Sequence, residues 1–83
     1  MVTVTNKVGV LLPAYNEEKN IKSVIRETKM FLPGSVIVVV DDGSNDKTSK
    51  IAKQQGVTVV SHGANKGKGE ALRTGLDVLN RKF

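Results

Sequence analysis

Asp41 and Asp42 are adjacent carboxylates set directly after five apolar residues, Val36, Ile37, Val38, Val39 and Val40, and directly before Gly43 and Ser44. An ionised carboxylate only accepts hydrogen bonds, so the pair suits the N–H of a nucleobase, the hydroxyls of a ribose or a divalent cation. Asp and Gly are also common turn residues and Ser44 can cap a helix, so the same residues read equally as a turn. Two further stretches carry suitable residue types. Residues 13 to 18, PAYNEE, place Tyr15 where it can stack on a base or pack over the end of a sheet. Residues 62 to 69, HGANKGKG, combine glycines that let backbone amides approach a ligand with the charges of Lys66 and Lys68. The helix expected after them has no Ser, Thr, Asp or Asn at Gly67 to Gly69 to occupy its first amides, which leaves it open to an anion. If a phosphate binds, this third loop is the better place for it, although the segment is neither GxxxxGKS/T nor GxGxxG. His62 is the only histidine. No serine or cysteine is set as its obvious partner, and it reads as structural or solvated.

These loops need elements to hold them. Residues 7 to 13, KVGVLLP, read as a first strand closed by Pro13, which cannot donate to a ladder. Asn16 then caps a helix with Glu17 and Glu18 in its first turn and a stripe of Ile21, Val24, Ile25, Thr28, Phe31 and Leu32, ended by Pro33 and Gly34. The run from Val36 to Val40, apolar at every position, is a strand buried on both faces. Ser44 or Asn45 starts a second helix with Thr48, Ile51 and Ala52 inward and Gly56 as its stop. Val57 to Ser61 is a third strand, and Leu72, Gly75, Leu76 and Leu79 mark a last helix. The class is α/β: a three-layer β-α-β-α-β-α unit with a parallel sheet of order 3-2-1, the three loops meeting at the carboxyl ends of the strands. The first strand then has a free apolar edge, which points to a larger domain or to a homodimer joined through that edge.

The 83 residues are expected to form one domain. A domain of this size buries only about 60 to 65% of its unfolded surface. No cysteine is present to add a disulfide, which is compatible with a cytoplasmic location. No apolar run approaches the roughly 20 residues of a membrane span, and Met1 to Lys7 does not resemble a signal peptide. The net charge of +5, from 13 basic and 8 acidic residues, favours polyanions in general. The lysines are dispersed and the aromatics are only Tyr15, Phe31 and Phe83, so no nucleic-acid partner is expected.

Taken together, PAYNEE at 13 to 18, VIVVVDDGSNDKT at 36 to 48 and NKGKGEALRTGL at 65 to 76 resemble the amino-terminal, nucleotide-binding half of family 2 glycosyltransferases, inverting enzymes of the Rossmann-like glycosyltransferase A fold. The third motif is most similar to the branch that moves a hexose onto polyprenyl or dolichyl phosphate. The resemblance implies that Pro13, Ala14 and Tyr15 line a base pocket, that Glu17 reaches base or ribose, and that Asp41 or Asp42 reads base or ribose, with Gly43 and Ser44 in the same loop. It places Asn65, Lys66 and Gly67 near base and diphosphate, with Lys68 assisting. It also implies a divalent metal, Mg or Mn, held in the full-length family by a DxD-type motif on a strand after the last helix; neither Glu17-Glu18 nor Asp41-Asp42 sits in that context. No catalytic or metal residue is therefore expected here, turnover by this chain alone is not expected, and membrane association, at a cytoplasmic face, would come only through other regions. The alternative is a non-catalytic nucleotide or phosphate binding module, or a self-associating fold fragment.

Overall fold

A computed structural model describes residues 8–83, so Lys7 of the expected first strand and the segment before it lie outside the described residues. The elements are β1 (Gly9–Ala14), α1 (Ile21–Phe31), β2 (Val36–Asp41), α2 (Thr48–Gln54), β3 (Thr58–Ser61) and α3 (Lys68–Lys82). All three strands are parallel, as the alternation of strands and helices implies, and β2 lies between β1 and β3.

The two-fold alternation of a strand explains why β2 is apolar throughout. Ile37 and Val39 face α1 and α2, where they pack with Ile21, Ile25 and Ala52. Val38 and Val40 face α3 and pack with Ala71 and Leu79. Val38, Val39 and Val40 are fully buried, each contributing about 1.5–3 kcal/mol of apolar transfer. The result is three layers, with helices covering both faces of one sheet.

Several local expectations are corrected. β1 does not close at Pro13 but runs on to Ala14. Val36 N–H donates to Val8 C=O and Asp42 N–H to Ala14 C=O, so the even-numbered residues of β1 face β2 while Gly9, Leu11 and Pro13 turn to the open edge. Pro13 thus stands where the ladder needs no donor. Asn16 does not cap α1. It adopts a left-handed φ of 52°, its side-chain carbonyl accepts Asn45 N–H, and α1 begins only at Ile21, with Glu17 and Glu18 ahead of it. Neither Ser44 nor Asn45 starts α2, which begins at Thr48. Gly56 follows α2 in the left-handed conformation expected of it.

The helix stripes are narrower than their periodicity suggests. In α1, Ile21 and Ile25 are buried, whereas Val24, Phe31 and Leu32 are exposed. In α3, Ala71, Gly75 and Leu79 are buried, whereas Leu72 and Leu76 are exposed. Gly75 sets how closely α3 rides on β1, because a Cβ there would lie 2.5 Å from Leu11 Cγ.

Candidate functional site

The carboxyl ends of the strands open into a cleft of about 470 Å³. Pro13, Ala14, Tyr15 and Glu17 line it from the end of β1, and Asp42 from the end of β2. Asn65, Gly67 and Lys68 close the third side with Ala71, a residue that sequence reasoning did not single out. Asp41, Gly43, Ser44 and Lys66 are not in the lining.

The two aspartates part company because consecutive residues point to opposite faces of a strand. Asp41 is buried, and its Oδ1 accepts Ser44 N–H at 3.0 Å, shaping the turn. Asp42, also buried, turns toward the third loop. Its Oδ1 accepts Lys66 N–H at 2.9 Å and its Oδ2 accepts Gly67 N–H at 2.9 Å. His62 Nδ1 completes the set at 2.7 Å from Oδ1. The His62 hydrogen bond, followed by the Lys66 amide, holds the Asp42 carboxyl below the ordinary carboxylate range against the opposing effect of burial. The Lys66 and Gly67 amides of the third loop are therefore taken by a protein carboxylate. α3 itself begins at Lys68 behind Gly67 with no side-chain cap.

The first two loops are stitched together by side chains bonding across to backbone. Ser44 Oγ accepts Asn16 N–H at 2.8 Å, Thr48 Oγ1 accepts Glu17 N–H at 2.8 Å, and Asp46 Oδ2 accepts Glu18 N–H at 3.2 Å. In return, Glu18 Oε2 accepts Lys47 N–H at 3.1 Å. Thr48 Oγ1 also donates to Asp46 Oδ1, which accepts Thr48 N–H as well. Burial pushes the Asp46 carboxyl up, but these bonds from Thr48 and Glu18 outweigh it and the net direction is down. The third loop is seated by Gly43, whose φ is +80° and whose missing Cβ leaves room for the Ala64 and Asn65 backbone.

His62, read as structural or solvated, is structural, and Thr48 is inward as read; Thr74 and Asp46 are the supporting residues that local signals missed. For the His62 contact one signal was available: Asp41 pairs with Ser61 in register, so His62 comes beside Asp42 one step beyond both strands. Among the described residues no group of three or more His, Asp or Glu side chains is arranged to hold a metal ion. Asp42 is ill suited to join one, since three hydrogen bonds already occupy its oxygens.

A parallel sheet clad on both faces, with its cleft at the carboxyl ends of the strands, defines one half of a doubly wound α/β domain. The sequence pattern of glycosyl transferase family 2 matches residues 9–82, and the chain belongs to that family. It is 49% identical to an uncharacterised protein of Methanocaldococcus jannaschii, the match covering 86% of this chain and 29% of that one. It is 36% identical to the human dolichyl-phosphate beta-glucosyltransferase, over 87% of this chain and 27% of the enzyme. Glucosyl-3-phosphoglycerate synthase from Mycobacterium tuberculosis, solved with Mn2+, UDP-glucose and glycerol 3-phosphate, superposes with a TM-score of 0.67 at 38% identity, over 80% of this chain and 27% of that chain. The same synthase has also been solved with Mg2+ and UDP. The chain thus has the glycosyltransferase A fold and spans less than a third of the length of these relatives. No helix among the described residues is long and apolar enough to cross a membrane.

Proposed function

We propose that this chain is a single nucleotide-recognition domain of an inverting glycosyltransferase that takes a hexose from a nucleotide-diphosphate sugar and delivers it to a polyprenyl phosphate. The observation that carries the reading is the polarity of the cleft. A carboxylate offers about four acceptor positions, and three on Asp42 are filled by His62, Lys66 and Gly67. One remains for an N–H or O–H of base or ribose, next to Tyr15. Lys68 and the uncapped start of α3 lie along the same cleft, where a diphosphate meets positive charge instead of Asp42. A divalent metal bound with the diphosphate is expected for the whole enzyme and is not assigned to these residues, so binding rather than turnover is the activity proposed for them. The polyprenyl acceptor rests on the likeness to the dolichyl-phosphate enzyme alone.

The test is a heteronuclear NMR titration with UDP and with GDP, each with and without Mn2+. Saturable shifts at Tyr15, Asp42 and Asn65 to Lys68 are expected with one of the two bases. A folded protein whose cleft resonances ignore both nucleotides would overturn the reading.

A second reading, self-association, rests on a separate observation. Val8, Val24, Phe31, Leu72, Leu76 and Phe83 are all exposed. Val24 lines a hollow with Leu12 and Pro13 of β1, Phe83 lies against Gly9 at the start of that strand, and Leu72 and Leu76 share a flank of α3, which packs on β1. Two copies paired through β1 would cover them.

A further inference from the structure

We infer that His62 and Thr74 are positioning residues for the cleft, fixing the Asp42 carboxylate so that a single acceptor site faces an incoming nucleotide. This rests on the nucleotide reading above. His62 Nδ1 lies 2.7 Å from Asp42 Oδ1, and His62 Nε2 lies 2.8 Å from Thr74 Oγ1. The side chains of His62 and Asp42 are each only 7% exposed. Since an ionised carboxylate cannot donate, the proton sits on Nδ1. In the neutral ring Nε2 is then an acceptor and the Thr74 hydroxyl donates to it. If the ring is protonated, the hydroxyl rotates and accepts, so the chain from Asp42 to Thr74 stays closed in either state.

The relay joins the ends of β2 and β3 to α3. Its effect reaches the third loop because the same carboxylate holds the Lys66 and Gly67 amides. Without the imidazole, Oδ1 regains a free acceptor site and the carboxylate plane is no longer set by donors from two directions. The loop that carries Asn65, Gly67 and Lys68 into the cleft loses its anchor with it.

The experiment combines two measurements on the 83-residue chain. The first is hydrogen exchange of the Lys66 and Gly67 amides without nucleotide, and the second is affinity for UDP and GDP. His62→Ala is expected to speed exchange of both amides and to weaken binding roughly tenfold, the scale of one hydrogen bond to a charged group. His62→Asn, whose amide can reach Asp42 from the Nδ1 position, is expected to restore most of the affinity. Thr74→Val, close in shape to Thr, is expected to have a smaller effect in the same direction, and it carries the test if His62→Ala does not fold. Wild-type exchange at both amides in these variants overturns the relay whatever the nucleotide does. Faster exchange with unchanged affinity overturns the positioning role. Faster exchange in a protein whose wild type binds neither nucleotide upholds the hold on the loop and overturns the nucleotide reading instead.

Discussion

Replacing Gly43 by alanine isolates the contact on which the cleft is assembled. At a φ of +80° an added Cβ would lie 2.5 Å from both the Ala64 carbonyl carbon and the Asn65 nitrogen. Contact between such atoms is comfortable at about 3.5–4.0 Å, so the third loop must retreat by about 1 Å. Two costs combine: about 1–2 kcal/mol for a left-handed alanine and about 1–3 kcal/mol for overpacking against backbone. Their sum, about 2–5 kcal/mol, stands against a total stability of about 4–12 kcal/mol for a chain of this length. The fold should survive with its loop displaced. Gly34→Ala is the control, since Gly34 has the same φ of +80° with nothing within 4 Å. Urea denaturation should place Gly43→Ala about 1–3 kcal/mol below Gly34→Ala, and the Lys66 and Gly67 amides should lose their protection in the first variant only. Equal stabilities, with both amides still protected, would refute the claim that Gly43 seats the third loop.

Thr48→Val removes the buried hydroxyl that accepts the Glu17 N–H; denaturant melts should show a loss of about 0.5–1.5 kcal/mol, the net scale of one hydrogen bond, while Thr48→Ser retains most of the stability. Asp42 has a depressed folded-state pKa, so its contribution is present above the ordinary carboxylate range and is lost as pH falls through the lower, folded value. Thermal melts of the wild type should therefore decline below about pH 5, with a shallower decline in Asp42→Asn. Self-association through β1 predicts a dimer by sedimentation that Leu72→Lys and Leu76→Glu, both on exposed positions, convert to a folded monomer. A wild type that remains monomeric at high concentration, or variants that stay dimeric, would rule it out.

The strand order and the meeting of three loops were legible because a strand apolar on every residue must be covered twice, and short alternating connections admit one handedness. The caps were not. Asn16 and Ser44 carry the right chemistry for helix starts, but each finds its partner 28 or 29 residues away in the other loop, and no local pattern encodes that choice. Val24, Phe31, Leu72 and Leu76 failed for a related reason. Periodicity marks an apolar flank without saying what covers it. Of the paired aspartates, alternation alone could have told that only one faces the cleft, but the face was fixed by where α3 and His62 lie.

Pro13 has a consequence for how the molecule shares its space. A strand added at the open edge of β1 meets the N–H groups of Gly9 and Leu11, but at Pro13 it finds only a carbonyl. The zipper slackens there, at the residue where the chain enters the cleft. Self-association through β1, as proposed above, would then grip the start of the strand and leave its end, in the cleft, to the proposed nucleotide.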